Sequence, residues 1–158
     1  MDVRLTRGDA GQRDVVARLL ELNAYEFSRL DGRALDQHGV YGYRHLDAYW
    51  SEDGRVPYLI SADGELAGLA LVRRTGPVMS VAEFLVLPKF RRRGVGRRAA
   101  RLLFAGHPGP WRVEQVAGHD AATAFWRRAI TVPYEEEVGP DGSVVQSFTT
   151  APPSSAVE

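Results

Sequence analysis

The stretch from Val81 to Phe104 constrains the fold more than any other part of the chain. It opens as an apolar strand, passes through Leu85-Val86-Leu87-Pro88, and reaches Arg91-Arg92-Arg93-Gly94-Val95-Gly96 just ahead of an amphipathic helix. A strand, a glycine turn and a helix in that order build a cradle for phosphate. Glycine lets the backbone approach a ligand closely, the first N–H groups of a helix lack internal partners, and the helix dipole favours negative charge there. The expected guest is a pyrophosphate. Val95, Ala99, Leu102 and Leu103 then fall at helical spacing and form a core-facing stripe, with the arginines on the other faces, until Gly106 ends the helix.

Charge sharpens this reading. The chain has 20 basic and 20 acidic residues, yet Lys89, Arg91, Arg92, Arg93, Arg97, Arg98, Arg101 and Arg112 lie between Glu83 and Glu114 with no acid among them. One pole is basic and the remainder is acidic. A solvated helix face is the plain explanation of such a run; the glycines at the helix mouth favour a polyanionic ligand instead. A nucleic acid is not the expected partner, because the acidic remainder would repel it and no readout motif is present. Gly94-Val95-Gly96-Arg97-Arg98-Ala99 also satisfies the dinucleotide-binding pattern G-x-G-x-x-A. The context differs, since residues 88–93 separate these glycines from their strand and that strand follows a hairpin.

A chain of 158 residues fits one domain. We place it at residues 1–150, with 151–158, containing Pro152-Pro153-Ser154-Ser155, as a disordered tail. The absence of cysteine excludes disulfides, thiolate metal sites and a cysteine nucleophile, and the four histidines show no ligand spacing, so no metal is expected. The N-terminus lacks the order of a signal peptide, and no apolar run approaches the roughly 20 residues of a membrane span. The expectation is a cytoplasmic protein with no membrane partner.

Asp9, followed three residues later by Gln12, reads as a helix start, and Val16, Leu19, Leu20, Asn23 and Phe27 recur at helical period to about Leu30. Residues 31–56 read as loop plus a short helix near His45 to Trp50. Tyr58 to Ala62 and Leu66 to Arg73 flank Asp63-Gly64, a dipeptide of two-residue hairpin turns. Gly76-Pro77 precedes a strand from Val78 to Leu87. After the glycine motif and its helix come a strand from Trp111 to Ala117, a helix from His119 to about Ala129, and a closing hairpin of Val132 to Val138 with Ser143 to Thr149. The pattern predicts an α/β fold with a mixed sheet.

With these elements placed, the chain resembles the GNAT superfamily of acetyl-CoA-dependent N-acetyltransferases. Arg91-Arg92-Arg93-Gly94-Val95-Gly96 matches the family's Gln/Arg-x-x-Gly-x-Gly/Ala signature, preceded by Glu83-Phe84-Leu85-Val86-Leu87-Pro88-Lys89-Phe90; His119, Ala122 and Phe125-Trp126 echo a later family pattern. The resemblance covers roughly residues 3 to 149. It implies a mostly antiparallel sheet of six to seven strands flanked by helices and splayed between strands four and five. The pantetheine arm of acetyl-CoA would lie in the splay against the backbone of Leu85, Val86 and Leu87, with the phosphates over Arg91, Arg92, Arg93, Gly94, Val95, Gly96 and Arg97. Phe125 would also contact the cofactor, as would His119, for which a satisfied helix-cap histidine is an equal reading.

The same resemblance implies direct attack of a primary amine on the thioester in a ternary complex. The backbone N–H of Val86 would polarise the carbonyl and Glu83, on the same strand face as Leu85, would serve as base or hold a water, the plain alternative being a paired surface glutamate. Where many relatives carry a tyrosine that protonates the departing thiolate, this chain has Trp126. Either water assists, or Tyr134 enters the site, or the chain binds acyl-CoA without efficient turnover; we favour water. Tyr25, Glu26 and Tyr41, with Tyr43, His45 and Trp50 nearby in sequence, would face a small-molecule or peptide amine, although aromatics at such spacing also fill cores, as we expect of Tyr25 and Trp50. The closing hairpin could extend across a homodimer.

Overall fold

The computed structural model describes residues 1–152, so the expected tail from 153 onward lies outside the described residues. Seven strands, β1 (Val3–Arg7), β2 (Arg55–Ala62), β3 (Glu65–Thr75), β4 (Val78–Val86), β5 (Gly109–Gln115), β6 (Tyr134–Val138) and β7 (Val144–Thr150), join in one sheet. Their order is β1-β2-β3-β4-β5-β7-β6. Every neighbouring pair is antiparallel except β4 with β5.

β1 is absent from the expected element order. It offers only Val3 and Leu5 as half-buried positions alternating with exposed Arg4 and Thr6, too short a pattern to stand out, and it pairs along an edge with Tyr58 to Ala62 of β2. The expected hairpins form. Asp63 and Gly64 both take positive φ, 49° and 82°, the geometry of a primed two-residue turn.

Helices cover both faces of the sheet. On one lie α1 (Arg13–Asp31) and the short α2 (Ala48–Ser51); Val16, Leu19, Leu20 and Tyr49 pack there on Leu59, Leu69, Leu71 and Leu85. On the other lie α3 (Val95–Gly106) and α4 (Asp120–Ala129), whose Ala100, Leu103, Phe104 and Trp126 meet Ala70, Val72, Met79, Trp111 and Phe148. β3 lies between both layers, which is why Ala67 to Val72 read as a nearly unbroken apolar run and are buried. Within α3 the buried residues are Val95, Ala99, Ala100, Leu103 and Phe104, whereas Leu102, expected in the core stripe, is exposed.

At the start of α1, the backbone N–H of Asp9 donates to Gln12 Oε1 at 3.1 Å, one half of the anticipated capping box, and a short 3-10 turn, Ala10–Gln12, leads into the helix. Among the described residues no helix is long and apolar enough to cross a membrane.

Candidate functional site

The site begins where two strands part. Among the described residues, β4 and β5 are paired only at Met79 with Trp111 and Ser80 with Arg112, and no other strand pairs with the rest of β4 on that side. Which backbone groups face the gap follows from register. Val86 stands opposite Gly68, and the N–H of Leu87 donates to the carbonyl of Ala67 at 2.8 Å. Because groups on an antiparallel strand alternate in direction, the N–H and C=O of Val86 point away from β3 and into the gap. Leu87 differs from expectation, since its N–H serves Ala67 and its carbonyl accepts from Phe90 at 2.9 Å. Leu85 is buried on the α1 side and contributes packing.

Gly68 allows this edge to exist. A Cβ there would run into the carbonyl oxygen of Leu85, so the two strands approach more closely than any side chain permits.

Across the gap lies the mouth of α3. Gly94 caps the helix in the left-handed region at φ 78°, and Arg92 just before it also takes positive φ, 61°. Arg98 N–H closes the first turn on Gly94 O at 3.1 Å. Among the described residues, no hydrogen bond inside the protein takes the N–H groups of Val95, Gly96 or Arg97. Nor does any ion pair take the exposed side chains of Arg92, Arg93 or Arg97. These amides and guanidiniums form a concave, positive surface suited to an anion. Gly96 is held close to two neighbours: a Cβ there would lie 3.0 Å from the Phe125 ring and 3.5 Å from Val86 Cγ2. Phe125 thus lines the gap between α3 and β4, with its ring 5.5 Å from that of Phe84.

Arg91 is turned elsewhere. Its guanidinium pairs with Glu26 at 2.6 Å, and its Nε donates to Val86 O at 2.8 Å, which ties α1 to the end of β4. The expected phosphate ligand and the expected acceptor residue therefore meet one another.

On the α1 face of β4, Glu83 lies half-buried beneath the helix. Asn23, 5% exposed, donates from Nδ2 to Glu83 Oε2 at 2.8 Å. Burial raises the carboxyl of Glu83 to about 7, against the smaller opposing pull of Arg33 and of the Asn23 hydrogen bond. Arg33 follows α1, caps its charge on Asp31 at 2.9 Å, and stands over the Phe27 ring at 5.6 Å.

The phenols of Tyr43 and Tyr49 lie close enough to Glu83 to feel its charge, and burial keeps both neutral by raising them above the usual phenol range. Among the described residues, the Tyr49 hydroxyl is buried with no hydrogen-bond partner. Glu21 anchors this wall, accepting the backbone N–H of Tyr41 at 2.7 Å and of Gly42 at 2.9 Å. Tyr41 is held half-buried near Arg33.

Two expected residues stand apart. Tyr25 is 68% exposed, on the side of α1 opposite Asn23, where it neither fills the core nor faces Glu83. Tyr134 pairs with Phe148, which pairs with Trp111, which pairs with Met79. It therefore lies level with the joined end of β4 and β5, seven residues or roughly 20 Å along β4 from Val86. Trp126 is core, edge-on to Phe84 at 5.0 Å. His119 caps α4 and packs edge-on against Phe27 at 5.3 Å, its imidazole pushed below the usual range by burial and drawn back by Glu26 and Asp120. Asn23, Arg33, Tyr49 and Glu21 were not singled out from the sequence. The one available signal was Asn23, an amide on an otherwise apolar helical stripe, which needs a buried partner.

The arrangement offers two chemistries on opposite faces of one strand end. The α3 side presents free amides and arginines to an anion, the α1 side presents a carboxylate able to take a proton near neutrality, and the open N–H of Val86 lies between them. Among the described residues there is no cluster of three or more His, Cys, Asp or Glu that could hold a metal ion.

Comparison with known proteins agrees with this architecture. The Acetyltransferase (GNAT) family matches residues 19–129. The mycothiol acetyltransferase of Salinispora tropica is 33% identical over 103 residues, covering 56% of this chain and 34% of the relative, so the matched part spans about a third of that protein's length. An acetyltransferase from Thermus thermophilus superposes with a TM-score of 0.74 at 17% identity, over 94% of this chain and 97% of the other. The PaiA N-acetyltransferase of Thermoplasma acidophilum, solved in complex with coenzyme A, superposes with a TM-score of 0.67 at 8% identity, over 94% and 99%. The phosphate-cradle motif, the splayed sheet and the family match agree: this chain belongs to the GNAT family of acetyltransferases.

Proposed function

We propose that the protein transfers an acetyl group from acetyl-CoA to a primary amine by direct attack within a ternary complex. The observation that carries this reading is the open edge of β4, where Val86 N–H faces the gap between the free amides of α3 and the carboxylate of Glu83. The thioester supplies an activated acyl group. Arg92, Arg93, Arg97 and the N–H groups of Val95, Gly96 and Arg97 would hold the diphosphate, while Phe125 and Val86 line the arm.

Val86 N–H then donates to the carbonyl oxygen as it gains charge. Glu83 takes the proton shed by the amine nitrogen as the new C–N bond forms and the C–S bond breaks. The leaving sulfur takes its proton from water, because Trp126 is packed in the core and Tyr134 lies at the far end of the strand.

That neither Trp126 nor Tyr134 is placed to serve the leaving sulfur favours a second reading, a non-catalytic acyl-CoA-binding sensor. Thiol release from acetyl-CoA across a panel of primary amines separates the two, since a sensor binds the donor and releases no thiol. Binding itself is tested by melting. Acetyl-CoA is expected to raise the melting temperature, and Gly94→Val, which places a β-branched residue at φ 78°, should abolish the shift while the unliganded variant keeps its circular dichroism spectrum. An unchanged wild-type melting curve at millimolar acetyl-CoA overturns the assignment.

A further inference from the structure

We propose that Asn23 is the positioning residue of Glu83: its side-chain amide holds one carboxylate oxygen so that the other is presented, ionised, to the acceptor. This rests on the acetyl-transfer reading above. The inner stripe of α1 is otherwise apolar, with Val16, Leu19, Leu20 and Ala24 buried against the sheet. An amide buried in such a stripe is unfavourable unless its polar atoms are matched. Asn23 finds its match sixty residues away in the chain, donating from Nδ2 to Oε2 of Glu83 at 2.8 Å.

Among the described residues, no hydrogen bond takes the other oxygen, Oε1. A donor aimed at a carboxyl oxygen favours the charged form and fixes its rotamer, which are the two properties a base requires before substrate arrives.

The remaining groups around Glu83 do not duplicate this role. Arg33, from the chain following α1, favours the charge from a distance and forms no ion pair with it, its own guanidinium being committed to Asp31. Tyr43, and Tyr49 of α2, are neutral phenols able to donate, but among the described residues neither makes a hydrogen bond to Glu83. Asn23 is therefore the one direct donor to Glu83 among the described residues.

The test reads the carboxyl itself and needs no acceptor. Protein labelled with carbon-13 at the glutamate side-chain carboxyl is titrated by NMR, with Glu83→Gln identifying the Glu83 signal. Asn23→Leu keeps the branching and heavy-atom count of the side chain without the donor, and Asn23→Ala serves if the bulkier leucine impairs folding. The expected result is a midpoint raised by about one pH unit in the Asn23 variants, with the acetyl-CoA melting shift retained. A midpoint that does not move overturns the proposal even where the melting shift persists. A wild-type protein with no melting shift overturns the parent reading, and with it the catalytic meaning of the pair, whatever the titration gives.

Discussion

The burial that brings Glu83 to about 7 also makes the stability of the fold depend on pH. Its folded value is raised above the ordinary 4.5, so the folded chain binds this proton more tightly than the unfolded chain does. The contribution is fully present below about 4.5 and is lost as pH rises through about 7. Glu83→Gln is neutral throughout. It should therefore be more stable than the wild type at pH 8, by on the order of 3 kcal/mol at most, with the advantage fading towards pH 5. Urea melts across that range measure it, and a constant difference would show that folding does not raise the carboxyl's titration. The same variant should lose turnover at neutral pH and recover in part as pH rises and more of the amine is deprotonated.

At this scale the sequence was partly legible: strand alternation put Glu83 on the face of Leu85. Helical period placed Asn23 on the inner face of α1 but could not say what it would meet there. Tyr134, named as an alternative to water, stands far from Val86 for a related reason. Its closeness in sequence to α4 says nothing of its level along the sheet, which the β5-β7-β6 register sets.

Among elements, the most demanding junction is the close approach of β3 and β4. Gly68→Ala would force apart the two strands that position Val86, because the added methyl meets backbone oxygen and not the yielding end of a side chain. We expect a loss of about 2–4 kcal/mol in denaturant melts, together with loss of the acetyl-CoA melting shift. A variant as stable as the parent would mean that the strands can separate without cost. The helices, hairpins and glycine motif were readable because each carries local chemistry: a capping pair, Asp63-Gly64, and glycines where φ is positive. β1 was not, because an edge strand of five residues with polar alternation resembles a loop until β2 is beside it. The parting of β4 from β5 entered through family resemblance, as no local pattern encodes the end of a pairing.

For the molecule as a whole, the exposed face of the sheet's last strand bears on association. β6 ends the strand order and is exposed along its full length, with Glu135, Glu136 and Glu137 in succession. Glu136 is engaged by Arg127 at 2.7 Å and by Gln146 at 2.9 Å, which leaves Glu135 and Glu137 to solvent. Two such edges pairing with each other would bring like charges together, a common device against edge-to-edge assembly. We therefore expect no homodimer through this hairpin at neutral pH. Replacing both Glu135 and Glu137 by threonine should raise self-association in sedimentation velocity. A wild-type dimer crosslinked through β6 would contradict this.

The brief union of Met79 and Ser80 with Trp111 and Arg112 makes the sheet resemble a book joined along a short stretch of spine. Among the described residues, four strands form one cover and three the other, and elsewhere along that boundary no backbone ladder fastens them. A donor lodged between the pages and bound to Val86 would act as stitching. Its arrival is then expected to be felt as a stiffening of the whole volume, well beyond the few residues that touch it.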